Sequence, residues 1–300
     1  MKQLLVDGNN ILYRTFWVAS LKGAGVINPV GLFLLSLKKI ITQYNVPASN
    51  IYIAWDRRLI KDKTNYRMLL YPEYKKNRDT SRREEIYKCC DKIRSILNTL
   101  GIKNMYPGVL EADDVLYWLD QELPGEKIVA SGDSDLFQLV SETTVIYDLN
   151  KKKELNMDNF YTATGYSDVR EYLNIKSLVG DKSDNITGVP KCGVKTARKI
   201  LSNGIENISE SNLKIFTRNK KMILLENGML EHPDEVAIYQ HQLKTTPTAS
   251  LKHFKAACKK FNLQNIINNS HEWEDIFFNH NIHTCAMECI NSLLKSHDNT

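Results

Sequence analysis

Several carboxylates of the chain follow short apolar runs directly, and others open segments with helical spacing. The nine such residues are Asp7, Asp56, Glu111, Asp113, Asp114, Asp133, Asp135, Asp181 and Asp184. Like charges that share a site raise one another's pKa unless a cation neutralises them. Ligand sets made only of oxygen suit Mg²⁺ or Mn²⁺, which bind beside phosphate groups, whereas zinc sites usually draw on Cys and His. The ligand type therefore indicates phosphate chemistry.

A phosphodiesterase with two metal ions needs no histidine base, because one ion activates the attacking water and the other stabilises the leaving oxygen. The first histidine of the chain is His232, which follows all nine acids. A plainer interpretation is that acids at helix N-termini and strand ends only cap loops. Capping explains any one motif but not four clusters together. The sequence therefore favours a centre with two or more Mg²⁺ ions, for which Mn²⁺ can substitute.

Apolar, β-rich runs alternate with helix-like segments, which predicts an α/β fold with a mostly parallel central sheet flanked by helices. The predicted strands are residues 4–6, 51–55, 127–130 and 144–147, and the clearest predicted helices are residues 31–44, 87–100 and 110–123. Ligands bind such sheets where the strands end. Asp7, Asp56, Asp133 and Asp135 are expected to emerge there.

The positive charge is concentrated in one segment. The chain has 300 residues, 42% of them hydrophobic, and a net charge of +5. Between Arg57 and Arg94 there are thirteen Lys and Arg against six Asp and Glu, interleaved with Tyr66, Tyr71 and Tyr74. Cations that follow phosphates and rings that stack on bases are typical of single-strand binding, although a solvated basic face has the same composition.

The sequence has no apolar run of about 20 residues, and its start lacks the layout of a signal peptide. Six cysteines show no disulfide framework. We therefore expect a protein of the cytoplasm with reduced thiols and no membrane contact. His280, His283, Cys285 and Cys289 match neither common zinc spacing, so they are interpreted as incidental residues of a surface helix.

A glycine-rich turn is predicted within residues 178–201, where the chain is mainly helical. Asp181 and Asp184 would share one face if they were on a helix. Glycines allow backbone N–H groups to approach a phosphate, and the helix that follows directs its N-terminus at that charge. A nucleotide-binding loop is disfavoured because Val194 stands where that motif requires Lys, and a plain structural turn stays an alternative.

The order of these motifs resembles the structure-specific 5′ nucleases, a family of phage 5′-exonucleases and flap endonucleases that includes the 5′-nuclease domain of bacterial DNA polymerase I. The resemblance is closest to the phage members and covers about residues 3–201, through LLVDGNN, IAWD, YPEYKKNR, LEADD, ASGDSDL, LVGDKSDN and GVPKCGVKTA. It implies a PIN-like α/β nuclease core over residues 1–170 with a helical arch within 57–100. It also implies a helical subdomain over 171–300 with a helix, three-residue turn, helix DNA-binding motif.

The resemblance also implies roles for individual residues. All nine acids fall on the family's metal-binding positions, with Asp7, Asp56, Glu111, Asp113 and Asp133 expected around the chemistry. Lys75 and Arg78 fall on basic positions that approach the scissile phosphate, where a cation stabilises charge in the transition state. The implied DNA-binding residues are Tyr74, Lys75, Arg78, Arg82, Arg83, Gly188, Lys191, Gly193, Lys195 and Arg198. A K⁺ ion on the hairpin carbonyls is a further expectation, which Cys192 puts in question because a small residue is usual there.

The function that follows is divalent-metal-dependent hydrolysis of DNA phosphodiesters at 5′ flaps and at nicked or frayed duplex ends. The expected enzyme is a monomeric 5′-3′ exonuclease and 5′-flap endonuclease that removes primers or flaps in replication, in a bacterium or a phage-infected cell. Two alternatives stay open at this point: a non-catalytic flap or junction DNA-binding protein, and a PIN-like ribonuclease.

Overall fold

The computed structural model describes residues 1–21, 27–57 and 65–279. The strands in these residues are β1 (Lys2–Asp7), β2 (Ile51–Ala54), β3 (Lys103–Met105), β4 (Glu126–Ala130), β5 (Thr144–Asp148), β6 (Lys153–Leu155), β7 (Gly180–Asp181) and β8 (Ile186–Thr187). Six of them form a sheet in the order β3-β2-β1-β4-β5-β6. β1, β4 and β5 run parallel, and β6 is antiparallel to β5. The predicted mostly parallel sheet is confirmed.

Helices account for most of the remaining chain. They are α1 (Gly8–Leu21), α2 (Pro29–Tyr44), α3 (Tyr66–Leu70), α4 (Arg83–Thr99), α5 (Ala112–Glu122), α6 (Phe160–Thr164), α7 (Val169–Val179), α8 (Val194–Asn203), α9 (Glu210–Ile223), α10 (Leu225–Glu231), α11 (Asp234–Lys244), α12 (Leu251–Lys260), α13 (Gln264–Asn268) and α14 (Ser270–Glu274). The three clearest predicted helices correspond to α2, α4 and α5. No helix of the described ranges is long and apolar enough to cross a membrane.

The chain forms two compact units. The first comprises residues 1–10, 54–84 and 105–241, and the second comprises 11–53, 85–104 and 242–300, each as far as it is described. All nine predicted metal-binding acids belong to the first unit. The predicted division near residue 170 stays a prediction. Residues 58–64 of the predicted arch lie outside the described residues, as do His280, His283, Cys285 and Cys289.

A group of buried aromatic rings contributes to the core of the second unit after residue 250. Phe254, Trp273 and Phe277 are each about 1% exposed, and the rings of Trp273 and Phe277 stack with centroids 5.7 Å apart. The backbone N–H of Ser250, the N-cap of α12, donates to the carbonyl of Thr99 at 2.8 Å. The segment after residue 242 is thus joined to the end of α4.

In the first unit, buried parallel strands bring the acids to the sheet edge. The five residues of β1 from Gln3 to Asp7 are all buried, the pattern expected of a parallel strand covered on both faces. Leu4, Leu5 and Val6 lie beside Ile128, Val129 and Ala130 of β4. This register places the ends of β1 and β4 side by side.

The short antiparallel strands β7 and β8 separate α7 from α8, so the predicted pair of helices with a turn between them is found. Residues 188–193, the glycine-rich turn between β8 and α8, are named here the hairpin. Asp181 lies in β7 and Asp184 in the turn after it, so the two acids do not share a helical face. The reason is Gly180, which ends α7 at φ +82°, a conformation that a side chain rarely adopts. Gly188 then passes so close to α7 that a Cβ would lie 2.0 Å from the Val179 carbonyl oxygen.

Replacing Gly188 with Ala is expected to lower the free energy of unfolding by about 1–3 kcal/mol, because the added methyl group forces the backbone of the hairpin away from α7. Gly193→Ala is the matched control, since a Cβ at Gly193 meets nothing within 4 Å. The control is expected to change stability by less than about 1 kcal/mol. Denaturant unfolding measures both, and equal midpoints for the two variants would contradict the close approach.

Candidate active site

Four acidic motifs lie at the C-terminal ends of strands or at the N-terminus of a helix. Asp7 ends β1, Asp56 follows β2, and Asp133 follows β4 as the N-cap of a short 3₁₀ turn, Ser134–Leu139. Glu111 is the N-cap of α5. Gly8 lets α1 start directly after Asp7, because a Cβ there would lie 2.7 Å from the Trp55 ring. The predicted emergence of acids at strand ends is confirmed.

Asp7, Asp113 and Asp133 form an acidic trio whose charges act on one another. Asp7 accepts hydrogen bonds from the Asn10 N–H at 2.9 Å and the Ser131 hydroxyl at 2.8 Å. Burial raises the pKa of Asp7 to about 7, against these bonds, and the charge of Asp133 adds to the increase. Burial, and then the charges of Asp133 and Asp7, also raises the pKa of Asp113. The trio is therefore a site of uncompensated negative charge.

Asp56 lies beside the trio and is held by two N–H donors. One oxygen accepts the Ala112 N–H at 2.9 Å, and the other accepts the side-chain amide of Asn9. Burial raises the pKa of Asp56, and the charge of Glu111 raises it further. Asn9 is not among the predicted site residues, although its place two residues after Asp7 in DGNN is the signal that indicates it.

Glu111 and Asp184 share a set of partners from the basic segment. The Lys75 ammonium donates to Glu111 at 2.6 Å and lies 3.8 Å from Asp184, while Arg78 donates to Asp184 at 2.6 Å. Burial alone would raise the pKa of Glu111, but Lys75 and Arg67 lower it to about 2. Lys75 and Arg78 are thus held on two of the predicted metal-binding acids, and their predicted approach to the scissile phosphate stays a prediction.

The position of Tyr74 differs from the one expected for a ring that stacks on a base. Tyr74 is 2% exposed and packs with Ile186, Met222 and Ile223. Its hydroxyl donates to Glu111 at 2.7 Å and to Asp184 at 2.9 Å. The ring faces the protein core because the hydroxyl has two carboxylates to bind there. Tyr74 thus orients the acids rather than presenting a stacking surface.

Asp135 and Asp181 are joined by Lys176, a residue that the sequence patterns do not predict. The ammonium of Lys176 donates to Asp135 and lies 2.7 Å from Asp181. Burial alone would lower the pKa of Lys176, but the charges of Asp135, Tyr172 and Asp181 together outweigh burial and raise it. Asp181 also accepts the Ser183 N–H at 2.7 Å. The only sequence signal for Lys176 is a lysine in the last turn of a helix that precedes an acidic motif.

Asp114 is part of the scaffold, in contrast to its predicted role as a metal ligand. Arg67 binds both of its oxygens, at 2.7 and 2.8 Å, and the Glu111 N–H donates to one of them at 2.9 Å. The side chains of Arg67 and Asp114 are 3% and 0% exposed. Arg67 also donates to the Met222 carbonyl at 2.8 Å. Both oxygens of Asp114 are therefore buried and engaged by the scaffold.

The predicted DNA-binding residues of the hairpin fall into two kinds. Lys191 and Lys195 are exposed, and Gly193 is the N-cap of α8. Arg198 instead pairs with Glu171 of α7 at 2.8 Å. Cys192 is buried in the core cluster that joins α7, α8 and α9. Arg82 and Arg83 lie half-buried at the start of α4, and their binding of DNA stays a prediction.

The chemistry of the trio fits a hard divalent cation. Within the described ranges, no three acidic, histidine or cysteine side chains are arranged to hold an ion together as they stand. Five of the predicted ligands, Glu111, Asp114, Asp135, Asp181 and Asp184, are paired with lysine or arginine. The trio offers carboxylates alone, and burial together with mutual repulsion raises the pKa of both Asp7 and Asp113. An ion held by Asp7, Asp113 and Asp133 requires these side chains to turn toward it.

Known nucleases and polymerases are similar to this chain in sequence. Residues 2–165 match the family model described as 5′-3′ exonuclease, N-terminal resolvase-like domain. The 5′-3′ exonuclease of Buchnera aphidicola subsp. Schizaphis graminum is 31% identical over 252 residues, which cover 80% of this chain and 84% of the relative. DNA polymerase I of Streptococcus pneumoniae R6 is 33% identical over 214 residues, 67% of this chain but 24% of the polymerase. The chain thus spans about a quarter of that relative.

Solved structures share the fold at lower identity. The T5 D15 protein crystallised with metal ions superposes with a TM-score of 0.66 at 17% identity, over 87% of this chain and all of that chain. A complex of bacteriophage T5 D15 flap endonuclease with DNA and metal ions gives a TM-score of 0.64 at 17% identity, over 81% and 97% of the two chains. These likenesses support the PIN-like α/β fold.

Replacing Asp113 with Asn tests the repulsion within the acidic trio. Because the folded protein holds the pKa of Asp113 above its ordinary 3.8, folding takes up a proton, and stability falls as pH rises through the folded pKa. Asp113→Asn should therefore raise the free energy of unfolding by about 1 kcal/mol or more at about pH 8 in chelator, but not at about pH 3. Denaturant unfolding at both pH values checks this. Mg²⁺ should stabilise the wild type more than the variant, and a variant less stable at the higher pH would contradict the repulsion.

Replacing the adjacent Asp114 with Asn should have the opposite effect. The substitution removes the bidentate counter-charge of the buried Arg67 guanidinium and leaves only Glu111 at 3.3 Å, which costs about 3 kcal/mol of the free energy of unfolding. The same unfolding measurement, with Asp113→Asn as the matched control, separates a scaffold acid from a metal ligand. If Asp114→Asn stabilises the protein and weakens the response to Mg²⁺, the original assignment of Asp114 to the metal is right.

Proposed function

Because this chain belongs to the 5′-3′ exonuclease family, we propose that it is a divalent-metal-dependent, structure-specific 5′ nuclease that hydrolyses DNA phosphodiesters. Its activities are 5′-3′ exonuclease and 5′-flap endonuclease cleavage. The observation that carries the proposal is the pairing of two features within one unit. The mutually repelling acids Asp7, Asp113 and Asp133 form one, with the charge of Lys75 reaching Asp113. The cations Lys75 and Arg78, held on Glu111 and Asp184, form the other.

Each group of residues has a separate task in this proposal. Asp7, Asp113 and Asp133 hold the ion, with Asp56 beside them, and Mg²⁺ bound there supplies a Lewis acid and lowers the pKa of water for attack. Lys75 and Arg78 stabilise the negative charge that develops on the scissile phosphate. Their ion pairs with Glu111 and Asp184 keep the two cations in place before the substrate arrives. Tyr74 fixes the orientation of both carboxylates through its hydroxyl.

Binding of duplex DNA is assigned to the hairpin after β8. The exposed Lys191 and Lys195 flank the N-terminus of α8, where backbone N–H groups attract phosphate. Contacts of this kind hold the backbone of a duplex without reading its sequence. Solved DNA complexes of T5 flap endonuclease support DNA as the ligand class. We include a K⁺ ion on the hairpin carbonyls in the proposal, although the buried Cys192 makes that turn bulkier.

The cellular role extends the proposal. Relatives named DNA polymerase I support removal of primers or flaps during DNA replication. The substrates are 5′ flaps and nicked or frayed duplex ends, the physiological ion is Mg²⁺, and the active form is a monomer in the cytoplasm of a bacterium or of a phage-infected cell. Each of these points is open to direct measurement with the purified protein.

Cleavage of a 5′-labelled flap substrate in Mg²⁺ tests the function. We expect release of short 5′ fragments, and we expect Lys75→Met to lower kcat by about 100-fold because a cation at the reacting phosphate is lost. Lys191→Met is the matched control at the duplex site. It should raise KM with little change in kcat and reduce the slope of log affinity against log salt by about 1.

Three other results would redirect the assignment. Tight flap binding without cleavage in Mg²⁺ or Mn²⁺ identifies a DNA-binding protein. Preference for single-stranded RNA over flap DNA identifies a PIN-like ribonuclease. If Lys75→Met and Lys191→Met change kcat and KM alike, the two lysines do not have separate roles.

A further inference from the structure

Residues 71–78, named here the cation segment because they carry Lys75 and Arg78, are hydrogen-bonded along their length to the acid turn, residues 181–187. At one end, the hydroxyls of Tyr71 and Thr187 lie 3.0 Å apart, and the Asn185 side-chain amide donates to the Glu73 carbonyl at 2.6 Å. In the middle, the Lys75 N–H donates to the Asp184 carbonyl at 2.9 Å. At the other end, the Asn77 side-chain amide donates to the Lys182 carbonyl at 3.1 Å, and Arg78 donates to the Asp184 carboxylate at 2.6 Å. Polar contacts thus occur at both ends and in the middle of the segment.

Backbone conformation indicates that the two segments hold each other in place. Lys75 has φ +55° and Asn185 has φ +57°, values that non-glycine residues rarely adopt. Such residues persist only where the surroundings fix them. Here the Lys75 N–H donates to the Asp184 carbonyl, and the Asn185 side chain donates to the Glu73 carbonyl. Each bond joins the cation segment to the acid turn.

Helix α9 holds the acid turn from its other side. The amide of Asn219, which is 0% exposed, donates to the carbonyls of Ser177 and Thr187 at 3.0 Å each. Arg218 donates to the Thr187 carbonyl at 2.9 Å, and its guanidinium lies 4.2 Å from the centre of the Tyr71 ring. The contact at Tyr71 and Thr187 is therefore covered by a third element.

The acid turn runs directly into the hairpin assigned to duplex binding. Gly188 follows Thr187, and the Val189 N–H donates to the Leu178 carbonyl of α7 at 2.7 Å. Asn77 and Asn185 carry no charge, and their side-chain amides donate to the carbonyls of Lys182 and Glu73, so their contribution is to position others. They bind main-chain carbonyls, which fixes backbone rather than side chains.

We propose that the cation segment and the acid turn form one rigid block, fixed by the side chains of Asn77 and Asn185, through which duplex DNA on the hairpin positions Lys75 and Arg78 at the scissile phosphate. The inference rests on the proposed function and specifies how the same site selects substrates that contain duplex. A single strand without duplex does not engage the hairpin, so it gains nothing from the block. Because a misplacement of about 1 Å costs about 100-fold in rate, the block has a measurable effect.

The test combines Asn77→Ala with Asn185→Gly, which removes both amides and keeps a residue that tolerates positive φ at 185. Single-turnover cleavage in Mg²⁺ is measured on a 5′ flap and on a single strand of the same 5′ sequence. We expect the flap rate to fall by about 10- to 100-fold, the single-strand rate to change less than threefold, and flap affinity in chelator to change less than threefold. The ratio of the two rates is the decisive quantity.

Matched variants keep the result interpretable. Asn269→Ala removes an exposed amide that donates to the Asn265 carbonyl at 2.9 Å, the same kind of bond far along the chain, and should leave the ratio unchanged. Asn77→Gln, which keeps an amide donor, should restore part of the ratio lost in Asn77→Ala. If the double variant does not fold, Asn77→Ala alone is measured. A wild-type ratio of flap to single-strand rates, whether both rates stay high or fall together, overturns the proposal.

A second measurement does not depend on cleavage. In chelator, adding duplex DNA should slow backbone hydrogen exchange in the peptide that covers residues 71–78 of the wild type, because the Lys75 N–H is bound to Asp184. The double variant should bind the duplex but show no such protection. Equal protection in both proteins overturns the block, whereas absence of cleavage by the wild type with protection intact contradicts only the proposed nuclease function.

Discussion

Repulsion among neighbouring carboxylates is a constraint on which the arrangement of the first unit depends. Acids at the ends of β1, β2 and β4 and at the start of α5 are brought close together, and each charge raises the pKa of its neighbours. The protein meets this in two ways. Glu111, Asp114, Asp135, Asp181 and Asp184 receive lysine or arginine partners. Within the part of the chain that the structure describes, Asp7, Asp113 and Asp133 form no ion pair, so this trio favours an external cation.

This division explains why adjacent acids have opposite roles. Asp113 and Asp114 begin the same helix, but consecutive residues on a helix point about 100° apart. Asp113 interacts with Asp7 and Asp133, whereas Asp114 binds the buried Arg67. The buried ion pair joins α3, α5 and the end of α9 through one guanidinium. The ion pair of Arg67 and Asp114 therefore stabilises the elements that position the other acids.

The sequence predicts the strand ends and the acids well because both leave local patterns. An apolar run followed by Asp is visible within a few residues, and so is a glycine-rich turn between helical segments. The roles of Tyr74, Asp114 and Lys176 leave no such pattern. Their partners lie 37, 47 and 41 residues away in the chain, respectively Glu111, Arg67 and Asp135. Which acid pairs with which cation is decided by tertiary packing, and periodicity carries no information about it.

The same reasoning accounts for the segment after residue 203, which has no recognisable motif in its sequence. It acts on the site partly through backbone groups, as the Met222 carbonyl does for Arg67. Besides Arg218, it contributes the charged side chain of Glu235, 1% exposed, which accepts the N–H groups of Gly108 and Val109 at 2.7 and 2.6 Å. Those two residues lead into Glu111, so the loop that delivers this acid is fixed from α11. Since a backbone carbonyl can come from almost any residue, helices that support a site in this way place few demands on sequence.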